Sequence, residues 1–291
     1  MLRGVQFIEW SQLFYAVNLC HGTMQLPPTK GQSAPPDALP CCDSCPQARG
    51  CHAAGLVLRA HPAAGPQPLR SIRLRKGQPL YLIGDPVTAL YAIRFGTVKT
   101  HVTTEDGRTQ VVGFHFPGEL VGLDSLARSC YVSYATALED TRLCVIALDP
   151  GSAATAAAPA LASQLFLALD YQARRARAMQ TMLALMTAEE RLVTFLLWMA
   201  DGFAARGFSS SAFVLRMSRE EIGSYVGLTL ETVSRQFSRL AEIGLIRVRH
   251  RSVELLDKPA LRAIAERPTI SAHNVPATAA DLAAGTTASI Q

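Results

Sequence analysis

MSREEIGSYVGLTLETVSRQFSRLAEIGLI, residues 217–246, reads as two short helical patterns separated by one glycine. Ser218 is placed to cap a first helix, and Glu221, three residues on, completes a capping box. Ile222 and Val226 give that helix an apolar face. Gly227 supplies a tight turn, and Thr229 caps a second helix. Val233, Phe237 and Leu240 pack the second helix inward, which leaves Glu231, Ser234 and Arg235 outward on its N-terminal part. Those are the positions from which a helix in a major groove reaches base edges. An arginine there grips guanine O6 and N7 as a fork, and a carboxylate accepts from cytosine N4. The next segment, Leu245 to Arg251, alternates apolar and basic residues and suits a β-wing that lays Arg247 and Arg249 along phosphates. A plain αα-hairpin with a solvated charged face needs neither these caps and turn nor the wing. The stretch therefore predicts a winged helix-turn-helix that binds double-stranded DNA.

Upstream, residues 189–206 form an amphipathic pattern with Leu192, Phe195, Leu196 and Met199 on one face. Before it, a long helix is predicted from about Ala158 to Met186. Leu161, Leu165, Ala168, Gln172, Ala176, Met179, Leu183 and Met186 recur every three or four residues, the period of a coiled-coil seam. An ordinary core-facing helix has the same period. The length and the small residues Ala168 and Ala176 favour a homodimer seam, bordered by Arg174, Arg175 and Arg177. From Leu69 to Leu148 the pattern changes to short β-prone runs such as LYAIRFGTVKTHV and TQVVGFHF, with turn signals at Lys76-Gly77, Gly84-Asp85 and Asp106-Gly107. Strands so closely spaced predict an antiparallel barrel or jelly roll. Cys144 falls in the last of them, between Leu143 and Val145.

The chain has 291 residues, 49% of them hydrophobic and 18% charged, with a net charge of +5. That length accommodates two ordinary domains, and the charge permits nucleic-acid binding without arguing for it. Four of the seven cysteines crowd into residues 41–51, a poor disulfide framework and a good set of soft metal ligands in a reducing cytosol. The spacing Cys42-x2-Cys45-x5-Cys51 offers three thiolates for an iron–sulfur cluster or zinc. Cys41, His52, Cys130 and Cys144 are the candidates for a fourth ligand. No secretory signal and no membrane span is predicted, which points to the cytoplasm. Met24 is an alternative start to Met1, because a Pro/Gly/Ser-rich stretch follows it. The whole reads as an α+β chain: a flexible leader over 1–40, the cysteine cluster and a jelly-roll sensor domain over 41–151, a dimerisation helix over 152–187, a winged helix-turn-helix over 188–266, and a disordered tail over 267–291.

From about Cys42 to Leu261 the chain resembles the FNR branch of the CRP/FNR transcription regulators. The stretches that carry the resemblance are the cysteine spacing, LYAIRFGTVKTH, VVGFHFPGELVGLDSL, ALEDTRLC, AEERL and IGSYVGLTLETVSRQFSR. It implies a non-enzymatic, oxygen-sensing regulator of anaerobic gene expression. An oxygen-labile 4Fe–4S cluster would be held by Cys42, Cys45, Cys51 and Cys144, leaving Cys20, Cys41 and Cys130 without a role. Glu231, Ser234 and Arg235 match the E-x-x-S-R set that reads TTGAT-like half-sites as a homodimer. Surface loops such as Thr104–Arg108 and Gly202–Ser211 would touch RNA polymerase. The chain departs from the cyclic-nucleotide branch: Gly118-Glu119-Leu120-Val121-Gly122 resembles part of its phosphate cassette, yet the expected Arg-Ser pair is replaced by Tyr131-Val132-Ser133-Tyr134. A cyclic phosphate would lack its charge-assisted partner, so no cyclic nucleotide is expected. Pro46 and Gly50, beside the cysteines, bear on how fast oxygen reaches a cluster. The competing readings are a CRP-like regulator with structural zinc and a different signal, and a cupin-like enzyme. The latter is disfavoured because His101 and His115 lack the close spacing of a His-rich metal site.

Overall fold

Period-two burial along the strands from Ser71 to Ala147 builds the N-terminal half. In the computed structural model, which describes Cys45, Cys51 and residues 70–148 and 158–266, eight strands occupy this region. They are β1 (Ser71–Leu74), β2 (Pro79–Tyr81), β3 (Ala89–Phe95), β4 (Val98–Thr103), β5 (Thr109–His115), β6 (Leu120–Val121), β7 (Tyr134–Ala137) and β8 (Thr141–Ala147). They form two four-stranded antiparallel sheets, in the orders β1-β8-β3-β6 and β2-β7-β4-β5. This is the predicted jelly roll. The leader, the tail and Cys42 lie outside the described residues.

The roll is filled from within. Ile93, Val98, Ala135 and Leu143 turn inward, and the ring of Tyr131 stacks on that of Tyr81 with centroids 3.7 Å apart. The Tyr131 hydroxyl donates to the Ala89 carbonyl at 2.7 Å, so the buried phenol keeps a partner. The tyrosine stretch that replaces the expected Arg-Ser pair thus becomes part of the core.

Two helices follow, α1 (Ala158–Leu185) and α2 (Ala188–Ala205). Thr187 separates them and starts α2 with a reciprocal capping box to Glu190, a device that stabilises a helix start by about 1 kcal/mol. The predicted dimer seam on α1 divides. Leu165 and Ala168 pack on the roll beside Leu90, Leu120 and Ile146. Met179, Met182 and Met186 pack on the core of the C-terminal half. These residues face the chain's own interior. Phe166, at 70% exposed, starts a second stripe one position round, with Leu169, Ala173, Ala176 and Leu183. Two apolar stripes on one helix share the same period, and periodicity cannot say which meets a partner. Arg175 also departs from expectation: it points inward, whereas Arg174 pairs with Asp170 of its own helix at 2.7 Å.

The C-terminal half contains β9 (Ala212–Val214), α3 (Arg219–Val226), α4 (Leu230–Glu242), β10 (Ile246–Arg249), β11 (Ser252–Leu255) and α5 (Lys258–Ala265). Ser218 caps α3, accepting from the Glu221 N–H at 3.0 Å while the Glu221 carboxylate accepts from the Ser218 N–H at 2.7 Å. Thr229 caps α4. Gly227 holds φ 68° between them, and a Cβ there would lie 2.7 Å from Leu183 Cδ2 of α1. The turn thus needs glycine for its left-handed backbone. The strands pair in the order β10-β11-β9 and form the wing.

Candidate nucleic-acid interface and its control elements

Helix α4 is amphipathic, with Val233, Phe237 and Leu240 buried and Glu231, Ser234 and Arg235 exposed together. Its own backbone N–H and the Thr229 hydroxyl hold the Glu231 carboxyl below the usual carboxylate range. Arg235 Nη2 donates to Thr232 Oγ1 at 3.3 Å, a weak restraint on an otherwise solvent-facing fork. The two wing arginines differ. Arg247 is paired with Glu254 across the β10–β11 ladder, whereas Arg249 is exposed and has no such partner among the described residues. Alternation alone put both on phosphates; the cross-strand carboxylate at Glu254 is the signal that separates them.

The reading helices are fastened to the roll through groups that sequence reasoning missed. Lys99 Nζ of β4 meets Glu221 Oε1 of α3 at 2.7 Å, so the capping-box carboxylate also serves as an interdomain ion partner. Burial alone would raise the Glu221 carboxyl, but Lys99 and Ser218 outweigh it and hold it below the ordinary range. Ser224 Oγ accepts from the Val111 N–H at 2.8 Å and donates to the Thr109 carbonyl at 3.3 Å. Deeper in, Glu119 is 6% exposed and accepts from Arg206 at 2.8 Å and Arg175 at 3.4 Å. Arg175 also donates to the Phe114 carbonyl at 2.7 Å and the Tyr225 hydroxyl at 3.4 Å, and its guanidinium lies 4.5 Å from the Trp198 ring centroid. One side chain of α1 thereby touches the roll, α2 and α3.

His115 closes this node. Burial, and secondarily the Arg175 charge, pushes its imidazole down to about 3, so the 3.8 Å approach to Glu119 is not an ion pair at neutral pH. The ring bonds Thr100 Oγ1 at 3.0 Å instead. The folded chain keeps His115 neutral while the unfolded chain protonates it below the ordinary value of 6.5. Stability should therefore fall as pH drops from about 6.5 toward 3, at up to about 1.4 kcal/mol per unit from this group. Urea titrations from pH 7 to 5 should show a shallower fall in His115→Gln than in wild type, and equal slopes would contradict the neutral assignment.

Cys144 lies in β8, opposite Ala92 of β3 and Ser71 of β1. Cys51 and Cys144 are half-buried and pack on the same apolar cluster, the one that also receives Leu165 and Ala168 of α1. Cys45 is half-buried too. Cys130 is buried, opposite Pro86 across an isolated bridge. Among the described residues no group of three or more His, Cys, Asp or Glu converges on a metal position. The fit of a soft cluster therefore rests on donor chemistry and on the meeting of Cys51 with Cys144 on one apolar surface.

These features define a class: a winged-helix DNA-binding regulator whose reading head is fastened to a β-roll. Comparison with known proteins makes it particular. Residues 190–264 match the Crp-like helix-turn-helix domain and residues 71–150 the cyclic nucleotide-binding domain. The chain is 46% identical over 191 residues to the transcriptional regulatory protein Btr of Bordetella pertussis, covering 66% of this chain and 79% of that one. It is 41% identical over 192 residues to the transcriptional activator protein Anr of Pseudomonas aeruginosa, with the same coverage of 66% and 79%. The solved structure of FixK2 from Bradyrhizobium japonicum superposes with a TM-score of 0.62 at 31% identity, over 67% of this chain and 96% of that one. The chain belongs to the CRP/FNR family of transcription regulators, in its FNR branch, and is not an enzyme. Among the described residues no helix is long and apolar enough to cross a membrane.

Proposed function

We propose that this protein is a cytoplasmic oxygen-sensing regulator of anaerobic genes, with a 4Fe–4S cluster held by Cys42, Cys45, Cys51 and Cys144. The observation that carries the reading is the common apolar cluster shared by Cys51, Cys144 and the α1 residues Leu165 and Ala168. Relatives named as anaerobic or fumarate and nitrate reduction regulators support it. When bound, the cluster supplies sensitivity to oxygen. The chain's own residues do the rest: the thiolates hold it, the roll's apolar cluster limits water at Cys51 and Cys144, and α1 lies against the same surface. A group held by these thiolates would bear on the packing of α1, whose exposed stripe of Phe166, Leu169 and Leu183 pairs with a second copy. A dimer then presents two α4 helices to the half-sites of a TTGAT-like palindrome, and the second contact gains from high effective concentration. The Tyr81–Tyr131 stack that fills the roll supports a signal other than a cyclic nucleotide. Loops Thr104–Arg108 and Gly202–Ser211 are the proposed contacts with RNA polymerase.

The deciding experiment is an absorption spectrum of anaerobically purified protein with iron and sulfide assays, coupled to sedimentation before and after air. A coloured cluster lost in air together with a shift from dimer to monomer is expected. A colourless protein with bound zinc would overturn the cofactor, and an equally tight dimer in both states would overturn the coupling.

At the reading head, Arg235→Ala is expected to lose about 1–3 kcal/mol of discrimination at a guanine. Arg249→Ala should weaken all sequences alike and flatten the salt dependence. Arg247→Ala should do so less, because Glu254 already engages that guanidinium. Titrations on matched and mismatched half-sites separate these outcomes, and a change of base preference in Arg249→Ala alone would reverse the docking orientation.

A further inference from the structure

Between the roll and the DNA-binding half lies a cavity of about 490 Å³ that neither the thiols nor α4 uses. Its walls come from the end of β3 at Arg94 and Phe95, from Phe116 after β5, from α2 at Trp198 and Phe203, and from Phe213 of β9. Rings dominate it. Phe116 meets Trp198 edge-on with centroids 5.5 Å apart, and Phe203 stacks on Phe213 at 5.4 Å. Phe95 and Phe208, which also line it, remain 61% and 58% exposed. Recesses of this size, mostly apolar with a few polar groups and set at a domain interface, are characteristic of small-molecule sites.

The charges in the walls narrow the chemistry. Glu119 is matched by Arg206 and Arg175, and Glu139 by Arg216 at 3.0 Å. Arg94 is different: half-buried in the wall, its guanidinium makes no hydrogen bond or ion pair among the described residues. One cation is thus left uncompensated in a recess of aromatic rings. A carboxylate would give it a charge-assisted bond, and a flat ring would find faces and edges to stack on. We propose that this cavity binds a small aromatic carboxylate, its ring among Phe116, Trp198 and Phe203 and its carboxylate on Arg94. Occupancy ties the roll to α2 and β9, so the ligand is a second input to the reading head, independent of the thiols.

Calorimetric titration of the full chain with 1-naphthoate, and with uncharged 1-naphthol as control, tests this. Saturable binding of one naphthoate per chain is expected. Arg94→Gln should weaken naphthoate about tenfold and leave naphthol unchanged. Ala212→Phe, which adds a ring to the lining of the cavity from β9, should abolish both, with Ala212→Leu as the milder variant if the larger one fails to fold. No saturable binding, or binding indifferent to both positions, would overturn the site. Binding lost on filling at Ala212 but indifferent to Arg94→Gln would overturn the anion assignment.

Discussion

Replacing Cys51 or Cys144 by alanine is expected to strip iron and acid-labile sulfide almost completely from anaerobically purified protein, and with them tight binding to a palindromic site. A cubane needs four ligands, and one lost thiolate leaves an iron open to solvent. Both thiols stand on the apolar cluster of Leu90, Leu120 and Ile146, so the two variants should act alike. Cys20→Ala and Cys41→Ala should leave iron content nearly unchanged. Full iron and sulfide in Cys144→Ala would show that another residue supplies the fourth ligand, while the DNA-binding assignment would stand.

The second large effect is expected at Glu119. Its alanine variant removes the carboxylate that Arg206 and Arg175 share, leaving two guanidinium groups in a largely buried setting. Breaking a buried pair from one side costs on the order of 3–5 kcal/mol, visible as a lower urea midpoint. Glu119→Gln, which keeps the shape and one acceptor, should cost less. The exposed pair Arg174–Asp170 is the control: Asp170→Ala should change stability by less than about 1 kcal/mol. If the two alanine variants were equally mild, the Glu119 node would be no more than a surface contact. Because Arg175 also reaches Tyr225 and Trp198, the Glu119 variants should in addition loosen the grip of the roll on α3. Faster amide exchange along α3 than along β8 would report it.

Much of this architecture is written in local chemistry. Ser218 with Glu221, Thr229, and Gly227 at its positive φ are each dictated by neighbours within a few residues, so the reading head is legible as a string. The strands of the roll announce themselves by alternation and turns. Less legible is anything settled by distant partners. The seam read on α1 mixes inward and outward positions because the roll and the C-terminal core, which cover Ala168 and Met179, have no mark in the helix's own period. Glu119 looked like part of a ligand cassette, and only the fold brings Arg175 and Arg206 to it across more than fifty residues. Arg247 and Arg249 have the same local setting and differ through Glu254. The cysteine spacing is plain in the string and the resemblance joins Cys144 to it; the apolar cluster that Cys51 and Cys144 share with Leu165 and Ala168 of α1 is not.

The stacked tyrosines within the roll bear on how such proteins diversify. A barrel with an open chamber is committed to whatever molecule fits that chamber, and each new stimulus demands a rebuilt interior. Here Tyr81 and Tyr131 stack within the chamber, and Gly122 accepts the Tyr131 ring so closely that a Cβ there would sit 3.3 Å from it. With aromatic rings in the middle, mutation is free to try new stimuli on the outer skin of the barrel, where a few changed side chains suffice. A core that packs its own rings leaves the shell as a reusable chassis for other messages.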